Sequence, residues 1–210
     1  MTEPVLPLRD PAIWSLLCCN LVALFAAVIL QWALIDLLVI YWMQNVVIGI
    51  ANIARILALQ RFSTSGFMLN NKPLKADEAG KRKVALFFAC HYGLFHAFYL
   101  FFLIQSGAAV FFVNIGFWLC TLGFAANHWF SYRQHSERDL QSNPNIGNLM
   151  ALPYLRVIPM HIMAIIGGLL AESIVGLVVF GVLKTAADCA MHVIEHLRLQ
   201  NTREPSRLPG

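Results

Sequence analysis

Six apolar stretches, at 12–30, 33–59, 84–105, 108–132, 152–171 and 173–197, limit what this chain can fold into more than any other feature. Each is close to or above the ~20 residues that a helix needs to cross the hydrocarbon core of a bilayer. Lipid offers no partner to a backbone N–H or C=O, so a spanning segment of this kind satisfies its own groups as a helix. The expected fold is all-α, a polytopic bundle of six transmembrane helices. Composition agrees, with 59% hydrophobic and 12% charged residues and a mean hydropathy of +0.65. Soluble domains carry about 45–50% apolar and about 25% charged residues.

Little chain is left for anything else. Residues 1–11 form a polar N-terminal segment, 12–197 a single transmembrane domain and 198–210 a disordered tail. The first segment lacks the basic start of a signal peptide, so the first helix is expected to remain as an anchor. The net charge of +4 comes without any basic run interleaved with aromatics, which excludes a nucleic-acid surface. Cys18, Cys19, Cys90, Cys120 and Cys189 all lie in apolar stretches without a CxxC pair, as small buried hydrophobes do. Cys90 and Cys189 adjoin or approach His91 and His192, which leaves thiolate ligation as an alternative.

Lys and Arg set the orientation. They occur in the N-terminal segment, between the second and third helices, between the fourth and fifth, and in the tail, and are missing from the other three turns. By the positive-inside rule both termini are cytoplasmic, in a bacterial inner membrane. Within the second helix Asn45, Gly49 and Asn52 recur at helical spacing, a small and polar stripe suited to a neighbouring helix. Pro159 removes a backbone donor just before His161 and predicts a bend there.

The chemistry concentrates on the last helix. At about 100° per residue, Lys184, Asp188, His192, Glu195 and His196 fall on one face about 120° wide. Charged groups inside a bilayer cost about 3 kcal/mol or more each, so they face other helices, water or a bound ion. The topology puts His91 and His161 about 10–15 Å in from the cytoplasmic end of their helices, at 1.5 Å per residue. His128, His192 and His196 sit nearer that end, and His96 nearer mid-membrane. Lys184 and Asp188, at i,i+4, can neutralise each other.

Three chemistries fit such a cluster. Asp188, His192 and His196 on successive turns, completed by His91 or His161, could hold zinc or another divalent ion, with the metal-bound water of a hydrolase. His91 and His161 could ligate haem iron in an electron carrier. Lys184, Asp188 and the histidines could form the proton or ion path of a small transporter. A non-catalytic assembly or sensor protein needs none of these.

Tyr41-Trp42-Met43-Gln44-Asn45-Val46-Val47-Ile48-Gly49, Cys90-His91-Tyr92-Gly93-Leu94-Phe95, Pro153-Tyr154-Leu155-Arg156 through His161, and Lys184-Thr185-Ala186-Ala187-Asp188 resemble the signatures of a family of bacterial multi-pass membrane proteins of unknown function. The resemblance covers most of 32–196 and implies a site shared by helices two, three, five and six. That family's pattern carries Glu where this chain has Gln44, so any ligand or base role of the Glu is altered here. A looser analogy is to the zinc-containing alkaline ceramidase and adiponectin-receptor superfamily, whose last helix also carries His-x3-His.

The sequence therefore predicts a cytoplasm-facing polar cavity holding a divalent metal ion, zinc before haem or iron. The expected ligands are His91, His161, Asp188 and His192, with His96, His128, His196, Lys184, Asn45 and Gln44 as second choices or supporting residues. Metal-dependent hydrolysis of a lipid-like or small-molecule substrate is the leading specific activity. Membrane lipids are the expected partners, with homo-oligomerisation as an option.

Overall fold

A computed structural model describes residues 11–69, 71–108, 113–141, 143–170 and 173–201. Six helices follow one another: α1 Pro11–Ile29, α2 Leu34–Ala58, α3 Glu78–Gln105, α4 Ile115–Gln141, α5 Ile146–Leu170 and α6 Ile174–Asn201. Between α2 and α3 a small antiparallel hairpin pairs β1 Met68–Leu69 with β2 Lys72–Pro73. Asn71 takes a φ of +60° in its turn, a left-handed conformation that Asn tolerates well.

The fold is all-helical, and α2, α3 and α6 as far as Met191 are long and apolar enough to cross a membrane. Helix α1 is apolar over a shorter length, Ile13–Ile29. Helix α2 is the hub and packs against each of the other five. Around it the order is α3, α5, α6, α1, α4, and among the described residues the ring stays open between α4 and α3. Helix α3 is peripheral: Leu86, Leu94, Phe98 and Phe101 all stand more than half exposed. Such an apolar outer face suits lipid.

Local chemistry explains where the helices start and stop. The α1–α2 break at Gln31 and Trp32 is a left-handed helix stop. Gln31 has a φ of +54°, its N–H donates to Val28 O, and the Trp32 N–H donates to Ala27 O at 2.8 Å. Helix α2 then begins with Asp36 accepting from the Ala33 N–H at 3.0 Å. Three helix starts differ from the sequence expectation for a capping reason, and two helix ends run on past it. Helix α3 starts at Glu78, not 84, because the Asp77 carboxylate accepts from the Gly80 N–H at 2.7 Å. The charges of 78–83 build its first turns, and buried Lys81 donates to the Leu59 carbonyl and to Glu78. Helix α4 starts at Ile115, not 108, with Asn114 capping Gly116 N–H, and runs on to Gln141 through residues expected to be a loop, His135 included. Helix α5 starts at Ile146, not 152, capped by Asn145. Helix α6 runs to Asn201, so the start of the expected tail is helical, and 202–210 lie outside the described residues.

The small and polar stripe of α2 does face its neighbours. Asn45 Nδ2 donates to Met160 Sδ at 3.2 Å and Asn52 Nδ2 to the Leu149 carbonyl at 3.2 Å, both on α5. Gly49 lets Tyr92 of α3 come close enough for its hydroxyl to donate to the Asn45 carbonyl at 3.1 Å. A Cβ at Gly49 would lie 2.6 Å from Tyr92 Cε1. Tyr92 is buried between Phe88 and His96 and cannot swing aside. Gly49→Val is therefore expected to destabilise the protein by about 1–3 kcal/mol. Gly93→Ala on the same helix pair meets nothing and should be near neutral. Thermal unfolding in detergent compares them; equal midpoints would contradict this close packing.

Candidate functional site

Two groups of polar residues lie inside the bundle, and a third lies on its rim. The first is at the end where α2 and α4 finish and α5 begins. A cavity of about 70 Å³ opens there between four helices, lined on its polar side by Asn52, Arg55, His128, Tyr132 and Arg156. Ile48, Ala51, Leu152, Pro153 and Met191 complete it. That volume is several times the ~10–15 Å³ needed to hold one water molecule. Arg55 pairs with Asp139 of α4 through two donors, Nε to Oδ2 and Nη2 to Oδ1, the latter at 3.1 Å. Both residues are buried. Arg156 makes no hydrogen bond or ion pair among the described residues, although it lies within electrostatic range of Asp188 and Tyr92.

The second group forms a column beneath the cavity. The Gln44 amide nitrogen lies 3.1 Å from His128 Nε2, so with the amide donating, the imidazole proton sits on Nδ1. Deeper, Lys184 Nζ donates to Asp188 Oδ1 at 2.7 Å and Asn20 Nδ2 of α1 donates to Asp188 Oδ2 at 3.0 Å. Neither Lys184 nor Asp188 has any exposed side-chain surface. Lys184 Nζ also stands 5.3 Å from the centre of the Tyr41 ring, in cation–π range. Asn20 Oδ1, Tyr41 Oη, Gln44 Oε1 and Thr121 Oγ1 are buried in this column without a hydrogen-bond partner among the described residues. Below it the core closes with Ala27, Leu34, Leu37, Phe117, Leu177 and Phe180.

The third group joins α3 and α5. His91 is exposed, with Nδ1 2.8 Å from the Tyr154 hydroxyl and its ring stacked on Phe87. His161 is exposed too, with Nδ1 3.2 Å from the Val157 carbonyl and its ring against Tyr99 and Phe95. Phe95 also touches His91, so these two histidines flank one phenylalanine on the outer surface. His96 is buried; its Nδ1 bonds the Tyr92 carbonyl and its own carbonyl accepts from Trp42 Nε1.

The expected ligand set is therefore divided. Among the described residues α3 and α6 make no contact, and Asp188 is held by Lys184 and Asn20, so His91 and Asp188 belong to separate groups. The backbone of His192 continues α6, but the side chains of His192, Glu195 and His196 lie outside the described residues. Among the described residues no three His, Cys, Asp or Glu side chains gather into a metal site. Of the second choices, His128 and Gln44 enter the cavity and column, Asn45 bridges to α5, and Lys184 pairs with Asp188 as expected. Asn20, Arg55, Tyr132 and Asp139 were not among the expected site residues, and Arg156 entered only through the family signature. A lone amide in an otherwise apolar α1 was the available signal for Asn20. Asp139 carried none, because its partner lies more than eighty positions away.

The chain belongs to a family of unknown function, DUF6498, which it matches over residues 4–205. Comparison with curated proteins and with solved structures gives no match.

Proposed function

We propose that this chain is a six-pass protein of the bacterial cytoplasmic membrane, both termini cytoplasmic, that binds a small ligand entering from the cytoplasm. The observation that carries the proposal is the cavity of Asn52, Arg55, His128, Tyr132 and Arg156 set over a buried polar column. It lies at the end of the bundle bearing Lys75, Lys81, Arg82 and Lys83, which the positive-inside rule assigns to the cytoplasm. Ionisable residues at this depth are expensive, and a cavity above them is the ordinary reason for keeping them.

The column ends against an apolar floor, so the arrangement suits a receptor, sensor or assembly factor better than a conduit. A conduction path would need polar groups continuing past Tyr41 toward the start of α2, where Leu37 and Leu34 are buried among aromatic and aliphatic side chains. The metal-dependent hydrolase predicted from the histidines draws no support from a ligand set split between α3, α5 and α6.

Cysteine accessibility tests the reading. In a background freed of the five native cysteines, Ala51→Cys is expected to react with a membrane-impermeant thiol reagent in inside-out vesicles and not in right-side-out ones. Leu37→Cys should react in neither. An unreactive Ala51→Cys would remove the cavity, and labelling of Leu37→Cys from the outer face would replace a dead end with a through path.

A further inference from the structure

We infer that the cavity is an oxyanion site that takes a phosphate group, either on a small cytoplasmic molecule or on a lipid headgroup. The inference rests on the cytoplasm-facing cavity proposed above and adds the chemistry of its occupant. Charge is the first argument. Two guanidinium groups and an imidazole line the cavity, and among the described residues no acidic side chain does. Asp139 neutralises Arg55 from behind, and Arg156 has no hydrogen-bonded or ion-paired partner among the described residues. An arginine between packed helices with no hydrogen-bonded carboxylate carries a desolvation cost that a bound anion would offset.

Donor chemistry is the second argument. Arg156 on α5, Tyr132 on α4 and Asn52 on α2 offer N–H or O–H groups from three sides of one small space. Donors spread over three walls fit a tetrahedral oxyanion, whose oxygens point in several directions, better than a planar carboxylate. A guanidinium adds a paired fork matched to phosphate oxygens. Size is the third. About 70 Å³ is well under the ~300–1,000 Å³ of a drug-sized pocket. It takes a phosphate and leaves the remainder of the ligand at the mouth.

The same arrangement disfavours a cation here. Arg156 and Arg55 would repel it, and the Asp188 carboxylate of the column already holds Lys184.

The test uses the full chain in nanodiscs, with thermal unfolding as readout at constant ionic strength. In phosphatidylcholine discs, inorganic phosphate is expected to raise the midpoint of the wild type, and Arg156→Gln should weaken its apparent affinity at least tenfold. Arg156→Lys should retain part of it, since a point charge replaces the fork. If Arg156→Gln fails to accumulate, Tyr132→Phe serves instead and should weaken phosphate at least threefold. Phosphatidic acid discs without added phosphate distinguish the source. Stabilisation there and none from inorganic phosphate assigns the site to a lipid headgroup, and the reverse assigns it to a soluble phosphate. Midpoints that respond to neither, or equally in wild type and variants, overturn the oxyanion site. Labelling of Ala51→Cys separates the two levels. A cavity that labels but ignores phosphate loses only this inference, whereas one that does not label loses the ligand-binding reading as well.

Discussion

Asp188→Ala is expected to be the most damaging single substitution in the bundle, with a loss of about 3–5 kcal/mol. It leaves the Lys184 ammonium fully buried, with only the Tyr41 ring beside it and the Asn20 amide stripped of its acceptor. Lys184→Ala should cost a similar amount, since Asp188 would keep only the Asn20 hydrogen bond. The double variant Lys184→Met with Asp188→Leu is expected to recover most of the loss, because a buried pair replaced by apolar groups of similar size often breaks even. Accumulation in membranes and denaturant unfolding in detergent measure all three. A folded Asp188→Ala protein that differs from wild type only by losing one bound metal ion would show that the carboxylate is a ligand and not half of an ion pair.

Asp139→Asn is the second large effect, at about 1.5–3 kcal/mol, the range of hydrogen bonds to charged groups. The change is smaller than at Asp188 because Arg55 borders a cavity that admits water. It removes the carboxylate that accepts from two Arg55 nitrogens on the cavity wall. The sign of the ligand effect is then opposite to that of stability. The variant should unfold more easily alone, yet gain more than wild type from inorganic phosphate in the same unfolding assay. A variant as stable as wild type would show that Arg55 and Asp139 do not bind α2 to α4. One destabilised but no more responsive to phosphate would mean that Arg55 does not reach the anion.

Features decided within one helix were legible in the sequence. The spacing of Lys184 and Asp188 puts them one turn apart whatever surrounds them, and they pair. Asn45, Gly49 and Asn52 share a face of α2 for the same reason, and that face packs on α3 and α5. The break at Gln31–Trp32 was visible as a polar interruption between two apolar runs. The boundaries near Asp77, Asn114 and Asn145 were misplaced because charged and amide residues suit caps, first turns and loops alike.

The grouping of the histidines was not legible. Equal depth suggested that His91, His161 and Asp188 meet, but depth is one coordinate of three. Two residues at one level of a six-helix bundle can stand on opposite sides of it, as His91 on peripheral α3 and Asp188 facing α1 do. Helical periodicity fixes directions within a helix and says nothing about which helix lies next to which.

By itself, then, the sequence determined a chain of apolar helices, the break at Gln31–Trp32 and an ion pair closed by one turn of α6, since all of these depend on neighbours within a few residues. Only the tertiary structure decided that α2 occupies the centre, that Asn20 reaches Asp188 from the first helix, and that Arg55, Arg156, His128 and Tyr132 line one cavity. Those pairings join residues scores of positions apart. They follow from how the helices rotate and pack against one another, which no single helix encodes.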